Sequence, residues 1–344
     1  MTDARPEPAS PSPSRGRLRG LVLYAVGAAL LGAAVWTVVR QGESLQTAWE
    51  SARDASPATI ALLLALPLVN CFISVLVFWT LTNRYGRVGL GEMSALIASA
   101  WLLNNLPMRP GLVGRVAYHK AVNGIRVADS IRVLISAAGC TAAAAGVALS
   151  LAMLAAWLRV SGPWLAALAA SPLLIGGALG MAAGARAGRA HAGLARRLAA
   201  AAGLRYIDVL VWAVRYWLVF RLVGAPVGPE GAAVIAAASQ GAMLVPVQLG
   251  VREWMVGVAA SILPPGLWSR SADAGAAMSE ASMSPTGIGV APGLLADLVN
   301  RAAEIVVALP VGIIAGAWLA GRRRGAGRRV AAQEGEESGL RERA

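Results

Sequence analysis

Two short clusters of polar residues interrupt an otherwise oily chain. Asn104, Asn105, Arg109 and Arg115 fall within WLLNNLPMRPGLVGRVAYHK at 101–120, and Gln248, Arg252 and Glu253 fall within VPVQLGVRE at 245–253. Each cluster carries helix breakers, Pro107 and Gly111 in the first and Pro246 and Gly250 in the second. Guanidiniums beside the free backbone N–H groups of a broken helix are equipment for binding a phosphate. The same arginines also fit simple contact with bulk lipid headgroups, and Asn104 and Asn105 fit capping of the exposed carbonyls of a half-helix. A third set, Asp297, Arg301 and Glu304, has spacings of four and three, which puts it on one helix face. Arg301 is expected to bridge the acids of its own helix and Glu253. Arg252 and Glu253 suit a structural ion pair as well as they suit a ligand. No nucleophile stands with a base, and no Gly-rich phosphate loop or paired-carboxylate site is present. The polar set therefore reads as a substrate-binding and translocation site in a protein that is not an enzyme.

The surroundings explain why these residues stand out. Hydrophobic residues make up 57% of the 344 positions and charged ones 14%, with a mean hydropathy of +0.60, well outside the soluble globular range. The net charge of +13 would suggest nucleic acid in a soluble protein. Here the arginines lie between apolar segments, where the positive-inside rule accounts for them, and no nucleic-acid partner is expected. Cys71 and Cys140 are isolated in apolar runs, and His119 and His191 are the only histidines. Neither a disulfide framework, a metal site nor a cofactor is expected.

Hydropathy and charge then give an all-α, polytopic membrane helix bundle with about six full spans and two broken, re-entrant hairpins. Residues 1–19 read as a disordered cytoplasmic tail, 20–320 as the transmembrane domain and 321–344 as a charged cytoplasmic tail, itself disordered. The first span, 21–39, has a basic flank that also suits a signal peptide, but its length and the lack of a cleavage site favour an uncleaved helix. Spans follow at 58–81, 135–157, 165–185, 206–223 and 294–319. The hairpin at 92–120 opens inward and the one at 232–263 opens outward. The Arg-rich loop 186–205 is expected inside, the loop 264–292 outside, and both termini in the cytoplasm. Asp208, Arg215 and Arg221, within the 206–223 span, should face the bundle interior or reach an interface.

Span, hairpin, span at 58–157 and again at 206–319 have the same order in opposite orientation, with a shared Pro-x-x-x-Gly spacing, 107 to 111 and 246 to 250. That layout admits an inverted repeat, and paired broken segments of this kind point to a transporter's binding site.

NNLPMRPGLVGR at 104–115, VPVQLGVRE at 245–253 and DLVNRAAEIVVALPVGIIAG at 297–316 together resemble the lysylphosphatidylglycerol synthase transmembrane-region family. This is the flippase-like domain also found in bacterial multiple-peptide-resistance factors. The LP-x-x-x-G-x-x-x-R and P-x-x-x-G-x-x-E patterns are both present, in order. The resemblance implies a multi-pass bacterial inner-membrane protein that handles anionic or polyprenyl-linked lipids. Pro110 and Leu112, and Gln248 with Leu249, depart from the pattern and put substrate and site geometry in question. The alternative function is a non-catalytic membrane accessory or scaffold whose partner is a glycosyltransferase or lipid-modifying enzyme.

Overall fold

The computed structural model describes residues 32, 36, 50, 53–105, 110–160, 162–186, 189–245, 250–263 and 289–341. Nine helices run through them: α1 Pro57–Thr82, α2 Leu90–Asn104, α3 Pro110–Val122, α4 Val127–Leu158, α5 Pro163–Arg186, α6 Arg189–Leu222, α7 Pro229–Ala242, α8 Val251–Ile262 and α9 Val290–Arg341. No strand occurs among the described residues. The all-α expectation holds, and α1, α4 and α9 (over Val290–Arg322) are long and apolar enough to cross a membrane. The expected first span, apart from residues 32 and 36, and the 264–288 part of the expected external loop lie outside the described residues.

Local chemistry explains where the helices stop. The Ser56 side chain accepts from the Thr59 N–H at 3.2 Å, with Pro57 directly behind it, a favourable start for α1. Asn83 ends that helix, and its Oδ1 accepts from the Val88 N–H at 2.8 Å to hold the turn into α2. Asn105 folds its Nδ2 back onto the Trp101 carbonyl at 3.1 Å, one of the orphan acceptors at the end of α2. Gly250 sits at φ 82° before α8, a backbone that other residues adopt only at a cost.

Two readings are corrected. The 186–205 stretch, expected as a loop, is helical from Arg189 onward as the first half of α6. Its Ala, Leu and Arg residues are strong helix formers, and Arg197 donates to the Thr80 carbonyl at 2.7 Å, giving that half a packing partner. The charged tail after 320, expected as disordered, continues α9 to Arg341, again through Ala, Arg and Glu.

Polarity is distributed inside out. Ile135, Leu174 and Ile314 are 67%, 74% and 69% exposed, whereas Arg215 and Asp297 are 1% and 0% exposed. Such a surface suits lipid rather than water. The centre is α6, whose Tyr216, Val219 and Phe220 are fully buried and which packs on α1, α4, α5, α7 and α9.

The helix pairings have an internal regularity. Exchange α1 with α6, α2 with α7, α3 with α8 and α4 with α9, and each pairing has its counterpart. α2 packs on α9 as α7 packs on α4, α3 on α4 as α8 on α9, and α4 on α6 as α9 on α1. The hairpins α2–α3 and α7–α8 each close on themselves. The pairings of α5 alone lack a counterpart.

Candidate functional site

The exchange places α6, α1 and the two hairpins around a shared interior, and the charged residues meet there. Arg215 on α6 donates to Asn70 Oδ1 on α1 at 3.0 Å and to Asn300 Oδ1 and Glu304 Oε1 on α9, both at 2.6 Å. Arg252 on α8 donates from Nε to Asp297 Oδ2 at 3.0 Å and from Nη1 to Glu304 Oε2 at 3.1 Å. Tyr216 Oη donates to one of two neighbours, Asp297 Oδ1 at 2.6 Å and the Ser239 hydroxyl of α7 at 2.8 Å. At the other end Asn70 Nδ2 donates to Asp208 Oδ1 at 2.7 Å, and Arg205 bonds Asp208 Oδ2 at 2.9 Å and Ser74 Oγ at 3.0 Å. One polar network thus ties together α1, α6, α7, α8 and α9. Its cost of desolvation is met by near-complete pairing of the carboxylates.

Arg301 pairs with Glu253, as expected from the sequence. The expected bridge to the acids of its own helix is corrected: Asp297 and Glu304 turn to Arg252 and Arg215 from other helices. The buried guanidiniums of Arg215 on α6 and Arg252 on α8 reach those two acids, and Arg301 is left to Glu253.

Arg115 is different. It lies on α3, 6% exposed, with its guanidinium 3.8 Å above the Phe78 ring, and no carboxylate within ion-pair distance among the described residues. Arg205 approaches the same ring at 5.7 Å. The aromatic face takes part of the charge that a carboxylate would otherwise neutralise. Trp212 performs the same service deeper in, 4.1 Å from the Arg215 guanidinium and 5.4 Å from that of Arg252.

All five arginines line a single cavity of about 480 Å³, within the range of roughly 300–1,000 Å³ usual for ligand sites. Asn104, Asn105 and Gln240 line it as well, and Asp208 and Glu304 are the acids on its wall. Several buried polar atoms of the lining have no hydrogen-bond partner among the described residues: Arg115 Nη2, Arg205 Nε, Arg215 Nε, Arg252 Nη2, Gln240 Nε2 and Asn104 Oδ1. Five of these six are donors. Buried polar atoms left unsatisfied are rare in folded proteins, and a concentration of donors around one space suits an anion.

The structure therefore brings Asn104, Asn105, Arg115, Arg252, Arg301 and Glu304 to one cavity, with Glu253 beside it on Arg301. Arg109, Gln248, Pro107 and Pro246 lie outside the described residues. Gly111 carries a close approach, since a Cβ there would lie 2.4 Å from the Ala100 carbonyl oxygen. Sequence reasoning did not place Asn70, Phe78, Arg205 or Gln240 at the site, and it gave Asp208 and Arg215 only as residues facing the bundle interior or reaching an interface. The signal was available in part: Arg205, Asp208, Trp212 and Arg215 recur every three or four residues along one face of α6.

Comparison with family models, curated proteins and solved structures finds no match for this chain.

Proposed function

We propose that the chain is a flippase-like lipid transporter of a bacterial inner membrane, which binds the anionic headgroup of its substrate in the arginine-lined cavity. The observation that carries this reading is the set of unspent guanidinium and amide donors around about 480 Å³ of space inside an apolar-surfaced bundle. The motif resemblance leads to the same substrate class. In this reading about six helices span the bilayer and both termini are cytoplasmic. The hairpins α2–α3 and α7–α8 are re-entrant, and the two sets of exchanged helices are inverted halves. Each hairpin closes one side of the cavity, so that rocking of one half against the other would expose the headgroup alternately to the two leaflets. Membrane lipids are the only partners the reading requires.

Reconstitution of the full chain into vesicles with fluorescent phosphatidylglycerol, followed by dithionite quenching of the outer leaflet, tests it. Wild-type protein is expected to accelerate lipid movement over protein-free vesicles, and Arg115→Gln to slow it by about tenfold or more, as removal of a charge-assisted hydrogen bond predicts. An Arg115→Gln rate equal to wild type removes the binding site from the reading. A wild-type rate equal to that of empty vesicles removes transport and leaves the accessory scaffold.

A further inference from the structure

Counting charge around the cavity gives more than its sign. Arg205 and Asp208 pair, Arg215 and Arg252 share Glu304 and Asp297, and Arg301 takes Glu253. Among the described residues of this cluster, five guanidiniums therefore face four carboxylates, and the unmatched one is Arg115. Among these described residues the surplus is a single positive charge, held on Phe78 at the cavity wall. A buried charge without a counterion is costly, and the cost is lowest when a ligand brings one opposite charge and no more. A second negative charge would leave the cavity with the same imbalance, reversed.

We infer that the cavity selects a headgroup with one net negative charge, a phosphodiester, over a diphosphate and over a zwitterion. This rests on the transport reading above and narrows it from anionic or polyprenyl-linked lipids to monoanionic phospholipids. The phosphodiester oxygens accept from Arg115 Nη2 and from the unspent donors on Arg205, Arg252 and Gln240. A zwitterionic headgroup brings the same phosphate but also a cation, so its net charge is zero and the surplus on Arg115 stays unmatched. Asp208 is the wall acid that pairs Arg205, and Arg205 shares the Phe78 ring with Arg115, so its charge enters the count directly.

The test is equilibrium binding to the full chain in detergent, read by native mass spectrometry. The probes are dioleoyl phosphatidylglycerol, dioleoyl phosphatidylcholine, a polyprenyl diphosphate and, as a soluble monoanion, dimethyl phosphate. Wild-type protein is expected to prefer phosphatidylglycerol by about tenfold or more over both other lipids, with dimethyl phosphate weaker still for want of acyl chains. Arg115→Gln removes the surplus charge and the preference with it. Asp208→Asn adds a charge and moves the preference toward the diphosphate. Size-exclusion profiles of both variants report folding, and if Asp208→Asn fails to fold, the wild-type ranking and Arg115→Gln decide. A wild-type ranking with the diphosphate equal or ahead overturns the single-charge inference and leaves lipid transport standing. Binding of none of the lipids overturns both, and dimethyl phosphate binding as tightly as phosphatidylglycerol overturns the lipid as ligand.

Discussion

Two arginines in one cavity hold opposite places in the energetics. Arg252 is the partner of two buried acids, and Glu304 in turn serves Arg215 and Arg252 together. Removing one member of such a group strands the others. Glu304→Gln is therefore expected to cost roughly 3–5 kcal/mol, seen as a large fall in the thermal midpoint of the detergent-solubilised protein. Arg252→Ala should behave similarly, which makes it a poor probe of lipid binding alone. Arg115 has Phe78 beneath it and no acid to strand. Arg115→Gln is expected to change stability by less than roughly 1 kcal/mol, because relief of a buried charge offsets the missing cation–π attraction. Equal midpoints for the Glu304 and Arg115 variants would contradict this division of roles. From the sequence, both arginines stood out in the same way, as a charge a few residues beyond a Pro-x-x-x-Gly break. What separates them is which acids the other helices deliver, and the Arg301 expectation failed for the same reason. Spacing along α9 shows that Asp297, Arg301 and Glu304 share a face, but not what that face meets.

The helices themselves were largely legible, because apolar runs and Pro, Gly or Asn breaks coincide with their limits. α2 ends at Asn104 and α3 begins at Pro110, and α8 begins directly after Gly250, but Gly111, expected as a breaker, lies inside α3 because a glycine near a helix start does not stop it. The first half of α6 is less legible, because a run of arginines looks like a loop to hydropathy although its Ala content favours helix. Close helix crossings were not legible, since small residues are common throughout. The α8–α9 crossing depends on two glycines facing each other. A Cβ on Gly293 would lie 2.8 Å from the Gly257 Cα and 3.1 Å from the Val256 carbonyl oxygen, both backbone atoms that cannot swing aside. Gly293→Ala is expected to destabilise by roughly 1–3 kcal/mol, as overpacking does. Gly316→Ala on the same helix meets nothing within 4 Å and should be neutral or gain up to about 1 kcal/mol from helix propensity. Paired thermal scans of the two variants check the contrast, and a similar loss for both would show that the crossing is not tight.

At the scale of the whole bundle, the contacts sort the charges by end. Asn123 after α3 donates to Glu92 at the start of α2, and Arg322 on α9 lies 3.8 Å from the same carboxylate. One end of the bundle therefore gathers the α1–α2 turn with Arg84 and Arg87, the α3–α4 turn with Lys120 and Arg126, and Arg322. The opposite end joins the start of α1, the end of α4, the α6–α7 turn and the end of α8 through Ala55, Ala156, Val227 and Leu263. Around these junctions stand Arg159, Arg221 and the acid Glu230. The exchange of halves explains why both hairpins converge on one interior, yet it is blind to orientation, since swapping the halves turns one end into the other. Charge breaks that tie. In the proposed topology, the positive-inside rule puts the Arg84–Arg322 end in the cytoplasm and the segment between α8 and α9 outside. In a background with Cys71 and Cys140 replaced by Ala, Ser279→Cys is expected to react with a membrane-impermeant maleimide in intact cells. Lys120→Cys, exposed at the end of α3, should react only after permeabilisation. Labelling of Lys120→Cys from outside, with Ser279→Cys protected, would turn the bundle over, with the Arg84–Arg322 end facing out.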